Sequence, residues 1–383
     1  PPRQVLADPT ASAAPAADLS VGSPAGGPTT RPLRHRYDLR ITALTPLLAH
    51  RGEVGNTVLT HPYVPGGSLL PLVSAALGPA ATTLITGGQV VVTDATPELG
   101  GVRAVPTPRA LQREKGQREQ GEPARPGDGE PARQNGEPPP VLVNLLHPQG
   151  TPAGRRLVPR GGFCAPADNG VYVGDVATVS RAHAVVDDEP QRPTERSGGL
   201  FVYEAMAAGT VLRAEVWLAD GVEFDPDAVA GERALGRSKK DDYGQVAVEV
   251  LDAAPPAAPA VPSGDHLVVW LTSDLLLSGE AGEPSTDLSR LATVLGDALG
   301  VTLTLPDEDA GEPPVALVTT RRVESWHSGW GLPRPSLVGL AAGSVIRFAM
   351  RGQPSAEAYR RVVAGGVGER TAEGFGRLRL QPE

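Results

Sequence analysis

The chain has 383 residues, enough to bury a sizeable core, and two domains are the expected partition. A net charge of -9 excludes a whole-molecule electrostatic case for nucleic acid or an anionic membrane, so any such case has to be local. The single cysteine, Cys164, excludes an internal disulfide and a cysteine-rich zinc site; with no long apolar run and no apolar leader, the expectation is a soluble, cytoplasmic protein with no membrane partner.

Residues 1–34 are rich in Pro, Ala, Gly, Ser and Thr without an apolar period, which predicts a flexible tail. A first domain is expected over 35–252. It opens with YDLRITALTPLLAH from Tyr37, whose polar and apolar residues alternate as in a strand, and continues with SLLPLVSAAL from Ser68 as a short helical segment. The polar, proline-bearing stretch 112–140 reads as a disordered insertion. GGLFVYEAMAAG, from Gly198, reads as a core segment in which Tyr203 and Glu204 face a binding partner. DPDAVAGERALG then predicts a short helix running into glycines, and QVAVEVL a closing strand.

AAPPAAPAVPSG, residues 253–264, is stiffened by proline and predicts a linker. Beyond it the order of events repeats over 265–383. HLVVWLTSDLLL from His266 matches the first strand, and Leu288, Leu291, Leu295 and Leu299 fall at helical spacing. SAEAYRRVVAGGVGER predicts a last helix and RLRLQ a last strand. Strand, helix, further strands, helix, glycine loop, strand, met twice, is the βαββαβ order of two tandem ferredoxin-like (RRM-like) α+β domains.

The two glycine loops carry the chemistry. Gly236 and Gly244 bracket Arg237, Ser238, Lys239 and Lys240, two of the chain's three lysines; Gly368, Gly374 and Gly376 bracket Arg370, with Arg377 just beyond. Glycine lets backbone N–H groups approach an anion, and Arg or Lys supplies the charge a phosphodiester requires. A glycine-rich turn with solvated charges is the alternative. A nucleotide P-loop is excluded, because GxxxxGK[ST] is absent and these loops precede strands.

GRSKKDDYG and GERTAEGFG resemble the glycine-rich loop of the RAMP superfamily of CRISPR-associated proteins. YVPGGSLLPLVSAAL from Tyr63 is similar to that family's "IPGSSLRGAL" turn, although Leu70-Pro71 stands where Arg/Lys-Gly is frequent. VPTPRALQREKG from Val105, RAHAVVDDEPQRPTERSGGLFVYEAMAAGT from Arg181 and WHSGWGLPRPSLVGLAAGSVIRF from Trp326 extend the likeness. Their order resembles the double-RAMP subunit of type III-D effector complexes.

The resemblance implies a non-catalytic RNA-binding subunit without a cofactor. It implies a grip on the guide RNA (crRNA), at its 5′ handle, beside the large polymerase-like subunit and the backbone RAMP subunits of one effector complex, with target RNA met indirectly. Carried onto this chain, the RNA-facing candidates are Gly66, Gly67, Ser68, Arg181, Gly236, Arg237, Ser238, Lys239, Lys240, Gly244, Trp326, His327, Arg334, Arg370, Gly374, Gly376 and Arg377. Trp326 and Trp330 suit base stacking or loop packing equally. His50 and His61 raise the alternative of a metal-independent endoribonuclease processing guide precursors. Asp187-Asp188-Glu189 reads as a solvated turn or as a metal-binding or RNA-cleaving acidic group, and a protein-only adaptor is a third class.

Overall fold

Two sheets built in the same strand order organise the computed structural model, which describes residues 32–115, 142–146, 156–168, 170–184, 200–239, 242–251, 261–307, 314–327 and 332–381. The first contains β1 (Leu33–Ala43), β2 (Val90–Val92), β3 (Val211–Ala219), β4 (Gly231–Ala234) and β5 (Gln245–Leu251), with helix α1 (Gly66–Leu77) between β1 and β2. Its order is β4-β5-β1-β3, and β2 pairs with the outer edge of β3. The second contains β6 (His266–Leu271), β7 (Thr302–Thr304), β8 (Val345–Arg351) and β9 (Leu378–Gln381), with helices α2 (Leu288–Leu299) and α3 (Ala356–Gly365). Its order is β7-β8-β6-β9, so β5-β1-β3-β2 and β9-β6-β8-β7 correspond. The protein is α+β, mostly sheet with few helices.

Alternation along β1 buries Leu39 and Ile41 against Leu69 and Val73 of α1, and the same face of β6 buries Leu267, Val269 and Leu271 against Leu291, Leu295 and Leu299 of α2. Asp287 starts α2 by accepting from the Ser289 N–H at 2.9 Å, and Gly300 ends it in the left-handed region at φ 73°. The helical run Gly66–Thr86 is apolar enough by composition to cross a membrane, yet Leu69, Val73, Ala76 and Leu77 enter the first core.

Three boundaries differ from those expected. The first strand starts at Leu33, inside the expected tail, because Leu33 pairs with Ala219. Gln112–Glu114, the start of the expected insertion, form a strand against Leu157–Pro159; 116–141 lie outside the described residues, as do 1–31 and most of the linker, 252–260. The helix expected in DPDAVAGERALG is one 3-10 turn, Pro226–Ala228, followed by β4. Gly231 sits at φ 94°, which no helix continues through, and pairing with β5 satisfies the backbone instead.

The two halves share buried surface. Ala364 of α3 packs with Val91 and Trp217 of the first sheet. Val268, Trp270 and Val345 pack against Val105, Ala110 and Cys164, and the Trp270 indole N–H donates to the Pro106 carbonyl at 3.2 Å.

Candidate nucleic-acid interface

The two glycine loops are the same structure, bond for bond. Leu235 N–H donates to the Gly244 carbonyl at 2.8 Å, and Val367 N–H to that of Gly376 at 3.0 Å. Arg237 N–H donates to Leu48 and Glu369 N–H to Leu276, both at 2.9 Å; Gly244 N–H donates to Pro46 at 2.9 Å and Gly376 N–H to Asp274 at 2.8 Å. Each loop is closed by a hydroxyl just after the first strand of its half: Thr45 Oγ1 accepts from Gln245 N–H at 3.0 Å, and Ser273 Oγ from Arg377 N–H at 2.9 Å.

This register equates Gly236 with Gly368, Ser238 with Arg370, Tyr243 with Phe375 and Gly244 with Gly376. The GER triplets at 231 and 368 are therefore not counterparts. Glycine is required where the loops touch the backbone: a Cβ on Gly236 would lie 2.5 Å from the Leu48 carbonyl oxygen, and one on Gly368 would lie 2.3 Å from that of Leu276.

Around the first loop the charges face outward. Arg237 is about half exposed and donates to Glu53 Oε1 at 3.0 Å, which holds the Glu53 carboxyl below its ordinary range; Lys239 is exposed, and Lys240 lies outside the described residues. Tyr243 is buried at the loop's base, where its hydroxyl and His183 Nε2 are 2.9 Å apart. Arg181 lies 5.7 Å from the Tyr243 ring centroid and is exposed. Its strand, Thr178–Ala184, pairs with Leu200–Met206, which pairs in turn with the hairpin His50–Val54/Thr57–Thr60.

The second loop faces a cleft of about 790 Å³ between the halves, lined by Ser68, Arg51, His61, Arg321, Arg334 and Arg370 among others. Gly66 and Gly67 of α1 lie against it, since a Cβ on Gly66 would come 2.6 Å from the Glu373 carbonyl oxygen. Gly374 closes the contact from the other side, 2.9 Å from the Val92 carbonyl by the same measure. Glu373 gathers the cations: Arg370 Nη2 donates at 2.5 Å and Arg334 Nη1 at 3.0 Å. Burial works to raise the Glu373 carboxyl, but these two guanidinium groups hold it below its ordinary range.

Behind them lies a half-buried polar group. Arg321 donates to the Tyr63 hydroxyl at 3.0 Å, lies 2.9 Å from His61 Nδ1 and pairs with Asp274 Oδ2 at 3.0 Å. Burial, with the charges of Arg321 and Arg51, holds the His61 imidazole down to about 3, so it is neutral near pH 7. Burial pushes the Asp94 carboxyl up to about 7, although the Gly66 N–H donates to its Oδ1 at 2.8 Å.

Arg377 does not face the cleft. It is 8% exposed, donates to the Ala364 carbonyl, stands 3.9 Å from Glu215 Oε2 and lies 5.8 Å from the Trp217 ring centroid. Its counterpart Gln245 is exposed, so burial comes from the first sheet packing over it. Trp326 and His327 form a short strand with Leu332–Pro333, placed beside Arg334. Trp330 and Asp187-Asp188-Glu189 lie outside the described residues. Arg51, Glu53, Arg321 and Glu373 carry no mark of their role in the sequence; only Glu373, between Arg370 and Gly374, stands within a candidate motif. Phe201 and His183 had a signal in the alternation of FVY and RAH.

No family model matches the chain, and no curated protein does. Among solved structures it is similar to a chain of the type III-B Cmr-beta bound to cognate target RNA and AMPPnP, at 10% identity over 81% of this chain and 86% of that one, TM-score 0.44. It is similar to a RAMP protein binding different RNA substrates, at 10% identity over 90% and 98%, TM-score 0.35. It is also similar to Cse3 of Thermus thermophilus bound to an RNA representing a pre-cleavage complex, at 15% identity over 53% and 79%, TM-score 0.26.

Proposed function

We propose that this chain is a RAMP-superfamily CRISPR-associated protein, built of two tandem ferredoxin-like units, that binds guide RNA as a non-catalytic subunit of a type III, III-D-like effector complex. The observation that carries it is the duplicated loop, with its left-handed residue at the same place in both copies, Ser238 at φ 61° and Arg370 at φ 56°. A left-handed residue in a turn can point successive N–H groups to one side as an anion-binding concavity; with the Arg237 N–H given to Leu48, those of Ser238 and Lys239 are the candidate donors. In the first copy Arg237 and Lys239 stand exposed beside it, so phosphate can be met by amides and cations together.

The second copy is spent differently. Its Arg370 is engaged by Glu373, and its turn lies on α1, so it clasps the halves; among the described residues lining the cleft the exposed arginines are Arg51 and Arg322, the latter paired with Glu324 at 2.9 Å. The first loop is the principal phosphate contact, at the 5′ handle of the guide, with the neighbouring RAMP and polymerase-like subunits of the complex as protein partners. Against a ribonuclease, His61 is neutral near pH 7 and so lacks the imidazolium of a general acid, and its Nδ1, which a general base would use, lies 2.9 Å from Arg321 Nη2.

The test is binding of handle-bearing RNA to the purified chain as a function of salt. Reversing Arg237, Lys239 and Lys240 to Glu should weaken binding whatever the sequence and flatten log K against log salt by about 0.7 for each phosphate no longer neutralised. Wild-type affinity in that triple variant would exclude the first loop as the RNA-binding element.

A further inference from the structure

Beside the first loop lies a cavity of about 220 Å³, lined by Glu53, Gly55, Asn56, Phe201, Tyr203 and Arg237. It is smaller than the roughly 300 Å³ at which sites for drug-sized ligands begin, a size that a single ring system does not exceed. Two of its lining residues, Phe201 and Tyr203, are aromatic. Phe201 and Tyr203 alternate along one strand, opposite His183 and Arg181 on the next, so all four side chains share one face.

His183 stacks on Phe201 with centroids 5.3 Å apart and planes 13° apart, and Tyr203 tilts against Phe201 at 5.0 Å. Tyr203 in turn meets Tyr243 of the loop edge-on at 5.7 Å, which ties the ring group to the glycine turn. The backbone beneath is held as well: Asn56 Nδ2 donates to the Leu200 carbonyl at 2.7 Å, and Val202 N–H to the Asn56 carbonyl at 2.9 Å. Phe201 and Tyr203 are partly exposed, and Arg237, paired with Glu53 at 3.0 Å, lines the same cavity while its loop offers the amides described above.

We propose that this cavity takes one unpaired base of the bound RNA, stacked on Phe201 and Tyr203 with the Arg237 guanidinium against it, while the adjoining phosphate lies on the first glycine loop. The proposal rests on RNA binding at that loop. Every base has a π face, so the site tolerates any base identity; a base held within a duplex stack cannot enter it.

A single-stranded RNA carrying one 2-aminopurine, titrated into the full chain, tests it. Binding should change the 2-aminopurine fluorescence at one position of the label, and Phe201→Ala should remove that change and weaken binding about 10-fold, within the range measured for one base–aromatic stack. Phe201→Trp should restore both, which a merely structural role for Phe201 would not predict, and thermal melting of each variant separates misfolding from a loss of stacking. Unaltered affinity and fluorescence in Phe201→Ala, with wild-type RNA binding still salt-dependent, would overturn the base site and leave the loop's phosphate grip standing. Absence of RNA binding by the wild-type chain would overturn both.

Discussion

Ser238 and Arg370 occupy the same position in two copies of one loop, and among the described residues they are the two non-glycine residues with positive φ, at 61° and 56°. An L-residue pays about 1–2 kcal/mol to sit there, so each copy retains a strained turn with a side chain that glycine would have lacked. Ser238→Gly should therefore raise the melting temperature or leave it unchanged, whereas Ser238→Val should lower it. A melt in which Ser238→Gly is clearly less stable would show that the left-handed turn is wrongly placed.

The loop glycines differ from Gly55 in what surrounds them. A Cβ on Gly376 would collide with the Val367 carbonyl oxygen at 1.8 Å, while one on Gly55, also left-handed at φ 59°, would meet nothing within 4 Å. Gly55→Ala should cost about 1 kcal/mol, the conformational penalty alone. Gly376→Ala should cost about 3 kcal/mol or more, because backbone has to shift. Equal losses in denaturant melts would contradict the close approach.

Two carboxyls in the cleft should give opposite pH dependences. The Glu373 carboxyl is held below its ordinary 4.5, so its stabilisation is present above that pH and is lost as pH falls through the lower folded value. The Asp94 carboxyl is raised from 3.8 to about 7, so its contribution is full below 3.8 and is lost as pH rises through 7. Asp94→Asn should gain stability over wild type at pH 8 relative to pH 5.5, and Glu373→Gln should lose its deficit on acidification. Parallel pH profiles for wild type and Asp94→Asn would place that carboxyl in water.

His61 is not placed as a general acid at neutral pH. His61 is held neutral, and His50 is exposed, 3.7 Å from Glu53 Oε1. Metal-free incubation with guide-precursor RNA should leave the RNA intact, with wild type and a His50→Ala/His61→Ala variant alike. Discrete cleavage by wild type that this variant loses would make the protein a ribonuclease.

Much of the repeat was legible because it is written in local backbone demands. Gly236 and Gly244, like Gly368 and Gly376, stand eight residues apart with an aromatic residue before the second, and the strands after them alternate visibly. The expected helix after Asp225 failed because Gly231 and the free edge of β5 offered a strand, a competition decided by a partner distant in sequence.

Glycine turns, alternating strands and the leucine stripe of α2 follow from φ/ψ limits and side-chain period, which act over a few residues and are therefore readable along the chain. Which cations remain available is a different matter, because a guanidinium on a long stem takes whatever partner packing brings within reach. Arg377 is consumed beneath Trp217 and Arg370 by Glu373, while Arg237, in the same motif, stays at the surface. Docking of one half on the other buries Arg377, and a partner three residues along the same turn takes Arg370.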